Sequence, residues 1–382
     1  MHEPVIDGDE VRPTHIEVDL DAIAENYDTV RTWVGRPVMP ILKANAYGHG
    51  LVPVARKLAA AGAPVFGVAY LEEAVQIRKA GITTRLLVLG GILGDQIPRY
   101  VDHDLELTAS SVDKLDAIQA HAAARGVSAR VHLKIDTGLQ RIGVRWTTAP
   151  RLLEAALRCT HVDVVGVFSH LATADDPETP AREGVRLQRE RFEEVLRWYD
   201  ARSLPRPVAH LANSGAVLQH PDTWLDLVRP GILLYGVLPD DRLVAPFALR
   251  PALTWRTRVV YFKVVLAGQP VSYGWTWAPT RDTRVITLPV GYGDGYPRAL
   301  SNCGDVLVRG QRCPTVGRVC MDQTMADLGT GTAYNGDDVV LVGQQGTERI
   351  RIEDLARQAG TVPHEILTSI NTRVSRVYVG GP

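Results

Sequence analysis

Cysteine is scarce in this chain, with four in 382 residues. Cys159, Cys303, Cys313 and Cys320 form no CxxC pair and are too scattered for a disulfide framework or a structural zinc, so no metal is expected. The first three are expected to be buried free thiols, and Cys320 a buried small residue without chemistry. An excess of one charge is missing too. Lys+Arg 42 stand against Asp+Glu 43, a formal charge of -1, which excludes the basic face that nucleic acid requires. Residues 1–10 are polar and acidic without an apolar centre, so they read as a short floppy tail and not as an export signal, and nothing points to a membrane. Internal repeats and low-complexity tracts are absent. What is left, 45% hydrophobic and 22% charged residues, describes an ordinary globular protein, expected in the cytoplasm and long enough for two domains.

Between about residues 37 and 235, short β-rich runs alternate with amphipathic helical stretches. The runs are 38–42, 65–69, 86–89, 105–108, 130–135, 164–168, 208–211 and 225–228, and stretches such as 71–80, 112–124 and 182–201 repeat their apolar residues at three and four positions. Eight such units read as an α/β fold, a (β/α)8 TIM-type barrel assigned to residues 14–246. Beyond about residue 246 the texture changes to Val/Thr/Arg-rich alternation broken by Gly and Pro, in 253–265, 284–289, 305–309 and 338–342. Helical stretches at 353–359 and 364–370 and a strand at 373–379 follow, giving a mainly β C-terminal domain over 247–382, with 14–20 a candidate extra strand of it.

Chemistry in barrels of this kind sits at the C-terminal ends of the strands. There the chain places Lys43 after the first run, Lys134 in the fifth with Asp136 and Arg141 beyond it, His170 after the sixth, Asn213 and Ser214 after the seventh, and Arg229 after the eighth. Cations and an imidazole gathered on one mouth repel one another unless an anion joins them. Phosphate fits, because barrels often bind it after strands seven and eight, where Asn213-Ser214-Gly215 opens a helix and Arg229-Pro230-Gly231-Ile232 offers close backbone approach. Lys43 ends an apolar run and precedes the small, turn-forming Ala44-Asn45-Ala46-Tyr47-Gly48-His49-Gly50. Partial desolvation there favours the neutral amine, the form that condenses with an aldehyde.

From about Ile16 to Tyr378 the sequence resembles the bacterial alanine racemases, fold-type III enzymes dependent on pyridoxal 5'-phosphate (PLP). The matching motifs, in order, are Lys43 to Gly50, Lys134-Ile135-Asp136-Thr137-Gly138, His170 with Ala172-Thr173-Ala174-Asp175, Asn213-Ser214, Arg229-Pro230-Gly231, Tyr235-Gly236, Val271-Ser272-Tyr273-Gly274, Gly291-Tyr292, Asp294-Gly295-Tyr296, and Gly317-Arg318-Val319-Cys320-Met321-Asp322. The resemblance implies that Lys43 carries PLP as a Schiff base and that Tyr273, from the partner subunit of a homodimer, faces it across a small amino-acid substrate. Lys43 would remove the α-proton of D-alanine and Tyr273 that of L-alanine, supplying D-alanine for peptidoglycan precursors. A phenol is a poor base near neutral pH, and holding it as phenolate takes ~4 kcal/mol of preferential stabilisation, which the family draws from the equivalents of His170 and Arg229. Arg229 is also implied to donate to the cofactor's ring nitrogen, which an arginine cannot protonate. Tyr47, Ser214 and the backbone of Gly231 and Ile232 are implied to hold the phosphate, and Arg141, Met321 and Tyr292 to meet the substrate. Lys134 is implied to be carbamylated, or to have a bound anion such as chloride relieving its repulsion from Arg141.

One position departs from that pattern. His364 stands where the family has a phosphate-binding tyrosine that narrows the substrate pocket, so serine becomes a candidate substrate beside alanine. A non-catalytic PLP-binding barrel is the alternative of another class, and the domain carrying Tyr273 argues against it. A basic amino-acid decarboxylase would place a glutamate where Arg229 stands.

Overall fold

A computed structural model describes residues 12–381; the tail read at residues 1–10 lies outside the described residues. Two compact units emerge, one of residues 23–234 with 242–249, the other of residues 235–241 and 250–381 together with the N-terminal segment up to Ala22.

The first unit is the barrel. Parallel strands Val65–Val68 and Arg85–Val88 pair with each other, and Leu107–Ala109, Ala129–Asp136, Val162–Phe168 and Val208–His210 pair in that order. Glu106 joins the two groups, its N–H donating to Leu86 and its carbonyl accepting from Val88. Two of the eight expected strands, 38–42 and 225–228, are not continuous ladders. They close the ring through single bridges, Val38 to Val228 and Ile41 to Gly67, with Met39 N–H donating to the Val228 carbonyl at 2.8 Å and Leu42 N–H to Gly67 at 2.8 Å. The cause is local: Pro40 has no N–H to give in the first, and Leu225 sits at φ 50° in the second. Helices Leu71–Lys79, Val112–Arg125 and Thr179–Asp200 cover the outside where the periodicity put them.

In the β unit the order across the main sheet is Gln311–Pro314, Asp305–Val308, Asp338–Gln345, Leu253–Arg258, His15–Asp19, Ser375–Val379. A second sheet joins Tyr261–Val265, Thr283–Leu288 and Thr324–Gly329. The expected run 253–265 is therefore two strands in different sheets, and Thr324–Gly329 and Gln311–Pro314 escaped the pattern, the latter being four residues long and ending in a proline. Among the described residues no helix is long and apolar enough to cross a membrane. All four cysteines are free, but only Cys313 is buried; Cys303 is exposed, and Cys159 and Cys320 are half-buried. The expectation of burial fails for Cys303 because it lies in a turn just before a strand, outside any packed face.

Candidate active site

Lys43 opens a turn in which Ala44, Asn45, Ala46 and Tyr47 all adopt left-handed backbone, with φ 54°, 56°, 52° and 52°. Each such non-glycine residue costs roughly 1–2 kcal/mol, so the turn must be held from outside. Glu73, which sequence reasoning overlooked, does much of the holding. One carboxylate oxygen accepts from Ala44 N–H at 2.6 Å, the other from Ala69 at 2.8 Å and Tyr70 at 3.2 Å, tying the Lys43 turn to the end of the neighbouring strand. Asn45 accepts from Leu51 N–H at 2.8 Å and locks the other side. Glu73→Ala should lower stability by about 1.5–3 kcal/mol, the range for hydrogen bonds to a charged group. Urea denaturation checks this, and a loss under about 0.5 kcal/mol, the scatter of ordinary surface substitutions, would show that the turn holds itself.

The Lys43 ammonium is destabilised first by the protein packed around it and second by Arg141, with Glu73 opposing, so its pKa falls below the ordinary lysine value even though the side chain is open to solvent on one side. Lys134 is buried and lowered much further, by burial and then by Arg229 and Arg141; its Nζ lies 4.1 Å from the centre of the Phe168 ring. Asp136 accepts from Gly138 N–H at 2.9 Å and Gln140 N–H at 3.2 Å, folding the loop that carries Arg141. Gln188, buried on the Thr179–Asp200 helix, donates to Thr137 Oγ1 at 3.2 Å and to the His170 carbonyl at 3.0 Å, and accepts from Ala172 N–H at 2.8 Å. It thereby ties the loops after strands five and six together.

Arg229 is buried, and its hydrogen-bond partners are all neutral: the Ser169 carbonyl at 2.8 Å, the Leu211 carbonyl at 3.1 Å, His170 Nδ1 at 3.3 Å and His210 Nδ1 at 3.0 Å. A guanidinium only donates, so both imidazoles turn a bare Nδ1 toward it and, when neutral, carry their proton on Nε2. Burial, then Arg229 and the nearby lysines and Arg141, push the His170 pKa well below its ordinary value, which keeps the ring neutral. None of these bonds uses the Arg229 Nε–H.

At the loops after runs seven and eight, Ser214 Oγ accepts from Gly231 N–H at 2.9 Å, and the Tyr47 hydroxyl occupies the space a Cβ at Gly231 would need. Asn213 caps the Ser214–Gln219 helix by accepting from Ala216 N–H at 3.0 Å, and Ile232 is buried beside this corner. Tyr47, Ser214, Gly231 and Ile232 thus meet at one place; the loops after runs seven and eight pointed to Ser214, Gly231 and Ile232, and the family resemblance added Tyr47.

Tyr273, Tyr292, Met321 and His364 belong to the β unit. Tyr273 is 71% exposed on a strained turn, Ser272 at φ 68° and Trp275 at φ 49°, which Ser272 Oγ fastens by donating to the Arg318 carbonyl at 2.7 Å. Val265, Val285 and Val316 form the core under it. Tyr292 and Met321 lie on adjacent loops, joined by Tyr292 N–H to the Cys320 carbonyl at 3.0 Å and Gly293 N–H to the Met321 carbonyl at 2.8 Å. The buried Asp294 holds both: it accepts from Gly291 N–H at 3.0 Å, pairs with Arg12, and binds Arg373 at 2.7 Å, which reaches Asp322 at 2.7 Å. His364 is half-buried at the start of the Pro363–Ser369 helix.

A barrel mouth with a deprotonation-prone lysine, a donor-only arginine and a small anion corner, followed by a β domain, defines an amino-acid isomerase class when set beside known proteins. The alanine racemase N-terminal domain family matches residues 18–239 and its C-terminal domain family residues 252–378. The alanine racemase of Symbiobacterium thermophilum is 43% identical over 98% of this chain and 99% of its own. The crystal structure of alanine racemase from D-cycloserine producing Streptomyces lavendulae superposes with a TM-score of 0.92 at 39% identity, covering 97% of this chain and 98% of that one. The histidine racemase of Leuconostoc mesenteroides superposes at 0.86 with 30% identity, over 97% and 98% of the two chains. The chain belongs to the alanine racemase family.

Proposed function

We propose that the protein interconverts L- and D-alanine with PLP held at the barrel mouth, Lys43 and Tyr273 of the partner subunit acting as the two bases. The observation that carries this reading is Lys43 itself, a lysine whose amine is freed by its surroundings at the start of a strained, externally pinned turn. The residues present fit the cofactor. The Tyr47, Ser214 and Gly231 corner suits its phosphate, and the Arg229 Nε–H is a donor that a ring nitrogen can accept. PLP bound there acidifies the α-proton of an attached amino acid, and only weakly for a member of its class, because a guanidinium does not protonate the ring.

The rest is work for the chain's own groups. Lys43 takes or returns the proton on one face. On the other face, the His170 Nε2–H is free to donate to the oxygen of the partner subunit's Tyr273, because His170 Nδ1 is kept bare by Arg229. Racemisation follows from having a base on each side, since one base alone returns the proton where it took it. Arg141 meets the substrate carboxylate, and Tyr292 and Met321 line its approach. Exposure of Tyr273, Trp275, Tyr292 and Met321 on one domain supports a partner covering them in a homodimer. The neutral Lys134 amine favours carbamylation: its nitrogen attacks CO2, loses a proton and becomes an anion able to pair with Arg141.

The test is incubation of the purified protein and PLP with L-alanine, L-serine or L-histidine, with chiral chromatography of the products. Rapid conversion of alanine is expected, with serine slower by about tenfold or more, the discrimination a small pocket achieves per added group. Histidine is included because of the Leuconostoc relative. Its preferential conversion would replace alanine as the substrate, and no D-isomer from any of the three would favour a PLP-binding role.

A further inference from the structure

Among the described residues Arg229 hydrogen-bonds to no carboxylate, yet a guanidinium buried this completely needs compensation. A line of hydrogen bonds leads from it to one. Arg229 Nη1 meets His210 Nδ1 at 3.0 Å, His210 Nε2 meets His132 Nδ1 at 2.9 Å, and His132 Nε2 meets Glu106 Oε2 at 2.9 Å. All four side chains are buried. Glu106 is held from the other side by Arg85 at 2.6 Å and Arg130 at 3.4 Å.

The direction of this line is determined by its ends. An ionised carboxylate only accepts and a guanidinium only donates, so each neutral imidazole between them must carry its proton on Nε2 and leave Nδ1 bare. The reversed line would aim an N–H at Arg229. Packing fits the two rings to their places. Any side chain at Gly166 would overlap the His132 ring, so the glycine leaves the imidazole its room, and Phe168 stacks on His210 with centroids 4.8 Å apart and planes 7° from parallel.

We infer that Glu106, His132 and His210 are positioning residues for the racemisation site: the carboxylate sets the tautomer of both imidazoles, and His210 Nδ1 then aims and polarises the Arg229 guanidinium toward the cofactor's ring nitrogen. Hydrogen bonds all running one way reinforce each other in a low-dielectric interior, which lets the Glu106 charge act on Arg229 across two rings. Burial opposes ionisation of Glu106, but the bonds from His132 and Arg85 prevail and bring its pKa to about 2, while burial and then Arg229 lower His210 well below its ordinary value, as the line requires. This inference rests on the proposed use of Arg229.

The experiment is nitrogen-15 NMR of histidine-labelled holoenzyme, with the two signals assigned by their loss in His132→Gln and His210→Gln, followed by kinetics of Glu106→Gln. Both imidazoles are expected as neutral Nε2–H forms. In Glu106→Gln, where the amide can donate as well as accept, a second tautomer appears and kcat for alanine falls about tenfold with KM within about twofold, the scale on which supporting partners act at other sites. A proton on Nδ1 of either ring in the native protein overturns the inference, as does a Glu106→Gln variant with native kcat. The native spectrum, once assigned with the two histidine variants, needs no turnover, so it decides the line of hydrogen bonds even if the protein proves not to racemise alanine.

Discussion

Tyr273→Phe is expected to stop net conversion of L-alanine to D-alanine while leaving D-alanine able to exchange its α-hydrogen with solvent deuterium. In the proposed mechanism the two faces of the substrate are served by different groups, so removing the phenol oxygen takes away the L-face base and leaves Lys43 working alone. A lone base returns hydrogen to the face it came from, and exchange of D-alanine then proceeds with retention. Racemisation should fall by about 10²–10⁴-fold, the contribution of a positioned acid/base group, which corresponds to roughly 3–5 kcal/mol of barrier. The exposed position of Tyr273 makes a folding defect a poor explanation of such a loss. Chiral chromatography run alongside mass spectrometry in D2O distinguishes the outcomes. Equal loss of exchange from both isomers would contradict the division of labour between Lys43 and Tyr273.

Lys43→Ala is the second large effect, and it is different in kind. On the proposed mechanism the change removes the D-face base together with the amine that condenses with the cofactor, so racemisation should drop by at least about 10⁴-fold and D-alanine should lose its exchange as well. Borohydride treatment of the PLP-loaded native protein should fix a cofactor mass on the peptide containing Lys43, and none in the variant. The cradle of Tyr47, Ser214 and Gly231 does not involve the lysine side chain, so the variant should still bind PLP, only reversibly. A mass fixed on Lys134 instead would reassign the reactive amine. Lys134 is the nearest rival in chemistry, since its pKa is lowered further still, but it lies buried against Phe168, whereas Lys43 opens to solvent.

Much of this site was legible in the chain because barrel enzymes gather chemistry at strand ends, and strand ends can be read from apolar runs. Lys43, Lys134, His170, Ser214 and Arg229 each follow or finish such a run, and the structure brings the anion corner and the Arg229 and His170 pair together as expected. Glu73 was not legible. It sits in the first turn of a helix, where an acidic residue is unremarkable, and only the fold brings its carboxylate to Ala44. Glu106, His132 and His210 were hidden for a different reason: they lie inside β-rich runs and not at their ends, and a polar residue within a strand says nothing about its partner until neighbouring strands are in register.

The sequence by itself determined the barrel, the β domain after it, and which residue types stand at the mouth, because periodicity and strand ends are local properties of the chain. The tertiary structure alone decided the left-handed turn at Lys43, the closing of the barrel around Pro40 and Leu225 without full ladders, and the line of bonds from Glu106 to Arg229. These depend on contacts between residues tens of positions apart, and a hydrogen bond has a direction only once both of its partners are in place.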